Sequence, residues 1–351
     1  MDEPHTLSSL DASRRTLPVA IQPRDLVLLK TVYELPYCDA AQLSRLLPIG
    51  AVNPQLRAYL DARQEERARE GWTTGQPAEA RRSIVRRLQQ LLHASGGPYL
   101  QQHTVTHNSR RLYTIAPRAV DLLAAEFDLD SGALARTARN KDPMERYLHH
   151  ARMRTGFRFA LTVAVAARPD VAFEYWLKDG ATKIGITYHT AAGTVVQDTV
   201  IPDEFVGLRW GGKVEVLPVE TDKRKDGARV KDKMAAYVHL WRQIKQGTAK
   251  LPLAPPHVVR QLRSSGQLRD TRQVYMIAGQ PVLDFRVLWV AKGRERMEGL
   301  RRLAREVGGP QGVAAGLFLF THEGQYINDP ERVFAPIWQK ARNDTWRELL
   351  T

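Results

Sequence analysis

Thiols are almost absent from this chain. Cys38 is the single cysteine among 351 residues, which excludes an internal disulfide framework and every zinc module built on paired thiolates. That usage fits a reducing compartment. Long apolar runs are missing too, since none approaches the roughly 18 to 20 residues a membrane helix requires. The first ten residues carry Asp2, Glu3 and His5 and no apolar core, so they do not read as a signal peptide. Neither a phosphate loop nor a dinucleotide fingerprint occurs where a strand meets a helix, and there is no Gly-x-Ser-x-Gly elbow. Nucleotide hydrolysis, dinucleotide binding and hydrolase chemistry of that kind therefore lack their marks. No set of three histidines accompanies a tyrosine, as a nucleophilic relaxase would need.

Positive charge is abundant instead. Lysine and arginine number 52 against 38 acidic residues, giving +14 at pH 7, an excess that draws polyanionic partners. Its distribution says more than its size. Met1 to Asp128 carries 16 basic and 14 acidic residues, yet Arg81 to Arg118 within it holds seven arginines and no acid. Hydrophobic residues at 43 % and charged ones at 26 % describe an ordinary globular protein with room for two or three domains. The expected setting is cytoplasmic, with no membrane partner.

Periodicity divides the chain. Residues 1–20 read as a loose polar tail. A helix opens after Pro23 and ends at Pro36; Asp39 caps a short helix stopped by Pro48. Residues 48–76 form a polar, Arg/Glu-rich insertion. A third helix runs from Pro77 to the Gly96-Gly97 stop, with Ile84, Val85, Leu88, Leu91 and Leu92 on one face and Arg82, Arg86, Gln89 and His93 opposite. Tyr99 to Thr106 and Arg111 to Ile115 read as a hairpin, and Pro117 starts another helix. The order helix, helix, helix, hairpin, helix over residues 21–127 is that of a winged helix-turn-helix. A protein-interaction module shares the topology, but a basic third helix paired with a basic hairpin tip favours double-stranded DNA. In that reading Arg82, Arg86, Gln89 and Gln90 face the major groove, while Arg81, Arg87, Arg110 and Arg111 hold phosphate.

Residues 128–142 read as a linker, and 143–351 as an α/β domain with a mixed central sheet, so that the whole chain is of mixed α+β class. Asp142-Pro143-Met144-Glu145 starts a long helix. Strands follow over 171–177, 183–188, 194–201, 204–210 and 213–220, then a helix over 227–245. Further on, two apolar strands, 285–291 and 317–321, flank a helix over 293–307. Pro202-Asp203 opens one strand and Glu220-Thr221-Asp222 ends the next, so that two carboxylates converge where a divalent ion could be shared. This resembles the PD-(D/E)xK nuclease superfamily, in degenerate form. The resemblance implies Asp203 and Glu220 as Mg²⁺ ligands, with Glu174 or Glu145 as further candidates. Asp222 stands where the lysine is expected, leaving Lys225, or Lys231 or Lys233 of the following helix, to supply the cation. Without nuclease activity no cofactor is expected.

Over residues 23–244 the chain is also similar to the replication-relaxation family of plasmids and integrated mobile elements. The likeness is carried by Pro23-Arg24-Asp25-Leu26, Cys38-Asp39-Ala40-Ala41-Gln42-Leu43, Arg86-Arg87-Leu88-Gln89-Gln90-Leu91 and Tyr113-Thr114-Ile115. It continues through Leu148-His149-His150, Pro202-Asp203, Glu220-Thr221-Asp222 and Lys233 to Tyr237. The resemblance implies a winged-helix DNA-binding protein acting in plasmid replication and DNA relaxation or its regulation, without catalysis of its own. A Mg²⁺-dependent DNA endonuclease, with Asp203, Glu220, Asp222 and Lys225 as its catalytic candidates, and a winged-helix transcriptional repressor are the alternatives. Replication or conjugation proteins and a second copy of the chain are the protein partners to expect.

Overall fold

The computed structural model describes residues 18–47, 77–105, 110–127, 129, 131–138, 145–178, 184–189, 193–222, 227–246, 276–277, 280–281, 285–308 and 316–350. The 48–76 insertion, Lys225 and nearly all of the 1–20 tail lie outside the described residues. The chain forms two compact units, Met1–Phe159 and Ala160–Thr351, with the division falling inside the helix Glu145–Ala166.

The first unit begins with α1 (Pro23–Glu34), whose Pro23 has a φ suited to a first turn and no N–H to waste there. Asp25 at the third position closes a capping box by accepting the Gln22 N–H at 2.7 Å. Asp39 caps α2 (Ala40–Leu46), accepting the Gln42 N–H at 2.9 Å. The strand β1 (Cys38–Asp39) lies between the two helices. Tyr37, just before it, is the one described non-glycine residue with positive φ (66°). A hydrogen bond from its N–H to the Tyr113 carbonyl at 2.9 Å and a ring contact with His103 at 5.2 Å hold it there.

The helix α3 (Pro77–Leu92) and the hairpin β2 (Leu100–Val105) and β3 (Arg110–Ile115) follow. β3 pairs antiparallel with both β2 and β1, making a three-stranded sheet of order β1-β3-β2. Leu88 and Leu91 of α3 are fully buried, with Leu43 and Leu46 of α2 and several residues of α1. α4 (Pro117–Phe127) closes this layer through Ala119 and Leu123. Its Arg118 caps the end of α3, donating to the carbonyls of Ser95 (2.6 Å) and Gly97 (2.9 Å) while lying over the Tyr99 ring. Within the same unit, Glu34 accepts from both Lys30 (2.7 Å) and Arg158 (2.8 Å), tying α1 to α6 (Glu145–Ala166).

Two expectations are corrected here. The segment 128–142 is not a plain linker: α5 (Ser131–Ala138) crosses it, burying Leu134 and Ala138 and accepting from Gln101 at the Ala138 carbonyl. Its apolar residues are few but spaced to share one side. Val85, assigned by periodicity to the buried face of α3, is instead exposed (36 %). The cause is Arg87. Its guanidinium forks onto the fully buried Asp25 carboxylate, Nε to Oδ1 at 2.7 Å and Nη2 to Oδ2 at 2.5 Å, and also donates to the Ala20 carbonyl. Turning that side of α3 inward rolls Val85 outward.

The second unit is built on a six-stranded mixed sheet of order β13-β12-β11-β8-β7-β4. Its strands are β4 (Val171–Lys178), β7 (Glu204–Trp210), β8 (Lys213–Asp222), β11 (Val287–Ala291), β12 (Phe318–His322) and β13 (Gln339–Lys340). The central trio β8, β11 and β12 is parallel, and β11 is buried throughout, as an apolar run between two parallel neighbours should be. α7 (Gly227–Lys245) and α8 (Arg294–Gly308) pack on one another beside it. A separate hairpin, β5 (Ile184–His189) with β6 (Val195–Val200), adds Ile184, Ile186 and Val200 to the same core, and β9 (Met276–Ile277) pairs antiparallel with β10 (Gln280–Pro281). The last hundred residues thus complete the sheet. They are fastened by Arg301 of α8, 1 % exposed, which donates to the carbonyls of Lys340 and Asn343 and to Asp344 Oδ1 at 2.6 Å.

The Asp25–Arg87 fork yields a prediction. Arg87→Ala leaves a buried carboxylate without its cation, so denaturant unfolding of the variant is expected to show a loss of about 3–5 kcal/mol. A loss below about 1 kcal/mol, the range of exposed ion pairs, would contradict the role assigned to the fork.

Candidate functional site

Two groups of side chains carry the chemistry, one in each unit. In the first unit, α3 shows a sharp division. Leu88 and Leu91 face inward, whereas Arg82, Ser83, Val85 and Arg86 are exposed. Among the described residues no ion pair holds Arg82 or Arg86. The other arginines of the acid-free window divide. Arg111 is exposed on β3 opposite Thr104 of β2. Arg87 and Arg118 are consumed by the fold, and the Asp25 hydrogen bond raises the Arg87 pKa further. The Arg81 and Arg110 side chains lie outside the described residues. Gln90 accepts from Arg87 at 2.8 Å, and Gln89 turns toward the Tyr113 hydroxyl, so neither extends the outward face as expected.

In the second unit the register Glu204↔Val219 sets Asp203, the next residue back, beside Glu220. Asp203 Oδ2 accepts from both the backbone N–H and the hydroxyl of Thr221, each at 2.9 Å. Glu220 is 3 % exposed. Its Oε2 accepts from Lys233 Nζ at 2.5 Å and its Oε1 from the Tyr237 hydroxyl at 2.6 Å. Lys233 and Tyr237 stand one turn apart on α7, so a single helix face supplies both donors. Asp222 pairs with Arg296 of α8 at 2.6 Å. Glu174 is bound to Arg209 across β4 and β7, and the Glu145 side chain lies outside the described residues.

Sequence spacing thus brings Asp203 and Glu220 together and finds Lys233 among its candidate cations. It misses Tyr237, taken only as core, and Arg296. The i, i+4 placement of Lys233 and Tyr237 after a strand ending in Glu220 was the available signal. As they stand these groups do not fit a Mg²⁺ centre. Both Glu220 oxygens, one of Asp203 and one of Asp222 already accept hydrogen bonds, and no three ligating side chains gather among the described residues.

Burial pushes the Glu220 carboxyl up to about 7; the Asp203 charge adds to this, and Lys233 and Tyr237 oppose it. A carboxyl raised in the folded state favours folding while protonated, and loses that contribution as pH climbs through its folded pKa. The stability advantage of wild type over Glu220→Gln should therefore shrink between pH 4.5 and about 7. Urea titrations across that interval check it, and a difference constant with pH would refute it.

No curated protein and no solved structure matches the chain. The description of the replication-relaxation family matches residues 67–252, more than half the chain. That stretch runs from ahead of α3, through the hairpin and the Asp203–Glu220 pair, to beyond the end of α7. By that match the chain belongs to the replication-relaxation family.

Proposed function

We propose that the protein is a double-stranded-DNA-binding protein acting in the replication or relaxation of plasmid or mobile-element DNA, a role to which its family points. In this reading the first unit is a winged helix-turn-helix. α3 enters the major groove and the β2–β3 hairpin serves as the wing. The observation that carries it is the outward face of α3: Arg82 and Arg86, one turn apart, exposed, with no acidic residue between Arg81 and Arg118 to oppose them. Arginine forks match the acceptor pair of guanine and the oxygens of phosphate alike. Arg111 on the hairpin supplies a third cation.

The expected outcomes differ by position. Arg82→Ala with Arg86→Ala should weaken binding to a preferred site by about 1–3 kcal/mol per lost base contact. Arg111→Ala should lower affinity on every sequence and flatten the logarithmic salt slope by about 0.9. Gel-shift titrations at several salt concentrations measure both; unchanged binding for all three substitutions would reject the assignment.

The second unit is proposed to act as a nuclease-like scaffold without a cut of its own. Its support is that the carboxylates a metal would need are bound to Thr221, Lys233, Tyr237 and Arg296. Supercoiled plasmid incubated with Mg²⁺ or Mn²⁺ should stay intact. Nicking that Glu220→Ala abolishes would instead establish the endonuclease.

A further inference from the structure

Val85 is one of five large apolar side chains of the described residues that stand exposed, the others being Tyr147, Val195, Ile201 and Ile327. It alone has an outward arginine on either side of it in the sequence, Arg82 and Arg86. On a helix of 3.6 residues per turn, Val85 and Arg86 lie about 100° apart in azimuth, and Arg82 falls between them, one turn nearer the N-terminus. Arg87 and Leu88 occupy the opposite and flanking directions, which is why they are inside. The three outward side chains therefore form one patch, apolar at one corner and cationic at two, with exposed Ser83 at its border. Arg82 and Arg86 are about 6 Å apart along the axis, close to two base-pair steps.

A solvated helix needs no valine there. Serine, glutamine or lysine would serve solubility better, and propensity gives a β-branched residue no advantage in a helix. A major groove does use it: the one apolar group that base pairs present there is the thymine 5-methyl, while arginine reads guanine beside it. The chemistry of the patch thus matches a DNA edge on which a thymine methyl adjoins guanine acceptors. The charge of the surrounding acid-free window matches the phosphates that frame such an edge.

Resting on the DNA-binding reading above, we infer that Val85 reads the 5-methyl group of a thymine lying between, or next to, the base pairs contacted by Arg82 and Arg86. Specificity then comes from one apolar and two guanidinium contacts on a single helix face. Gln89 and Gln90 do not take part in it, since they turn to Tyr113 and Arg87.

The test removes one methyl group and nothing else. A site is selected by the full-length protein from a random-sequence duplex pool. It is then resynthesised with deoxyuridine replacing each thymine in turn. At one position the wild type should bind the uracil duplex about fourfold more weakly, the worth of one methyl withdrawn from apolar contact. Val85→Ser should bind the thymine and uracil duplexes equally, at about the level wild type shows on uracil. Because Val85 is exposed, the thermal midpoint of the variant should match wild type. Selected sites without thymine, no enrichment of any site, or wild-type affinity unmoved by uracil at every position would each overturn the inference. Unmoved affinity with retained binding leaves DNA binding standing, whereas failure to retain any duplex at low salt would remove both.

Discussion

A buried carboxylate must find a cation or a set of donors, and Asp25 answers that demand with Arg87 from a helix 62 positions later. The capping box needs Asp25 where it is, and α1 is buried along most of its length, so the carboxylate has no route to water. Bringing Arg87 to it fixes the rotation of α3 about its own axis. Everything outward on that helix follows: with Arg87 inside, Arg82, Val85 and Arg86 share the opposite arc. The structural arginine thus aims the exposed ones, and the outward face of α3 is set by an interaction on its inward side.

The second unit obeys the same rule with different partners. Glu220 ends a strand whose neighbours on both sides are in the sheet, leaving only the helix layer to satisfy it. Lys233 and Tyr237 do so from one face of α7, and Arg296 of α8 does the like for Asp222. These contacts fasten the two helices to the sheet end at the point where a nuclease scaffold would place its metal. The carboxylates are thus committed to helix donors in this structure, although each oxygen keeps a second lone pair. A raised Glu220 pKa is the electrostatic trace of that choice: the burial penalty exceeds what Lys233 returns.

Most of the elements were legible in the sequence because they depend on local pattern. Short runs between turn residues marked the strands of the second unit, proline and glycine marked the ends of α1 and α3, and Asp39 marked α2. What escaped depends on partners distant in the chain. Val85 sits at the edge of the apolar arc, where a small rotation decides between core and solvent, and the Asp25–Arg87 fork supplies that rotation. Arg118, counted in the sequence only as the end of the acid-free window, caps two carbonyls of the α3 end. α5 was overlooked because its short, mostly polar sequence shows too few apolar positions to declare a face before Leu134 finds its neighbours. Asp203 beside Glu220 was foreseeable, since antiparallel register joins the start of one strand to the end of the next. The donors that occupy them were only half foreseeable, as Lys233 and Tyr237 gain meaning from a helix placement no spacing encodes.

The charge pattern acquires a sharper meaning in this light. From Met1 to Asp128 basic and acidic residues nearly balance, so any pull of this stretch on DNA cannot come from net charge. It has to come from separation: the acids that balance the count are absent from Arg81 to Arg118. At physiological ionic strength charges interact over about 8 Å. A phosphate beside α3 therefore senses Arg82 and Arg86, together with Glu79 in the first turn of the same helix, and hardly senses acids a longer distance away. Arg118 keeps its charge at the C-terminal end of α3, because carbonyl acceptors satisfy its donors without cancelling it. Arg87 does not, since Asp25 neutralises it at contact. The surface and the fold have thus divided the arginines between them, and the division follows from which of them meets a carboxylate.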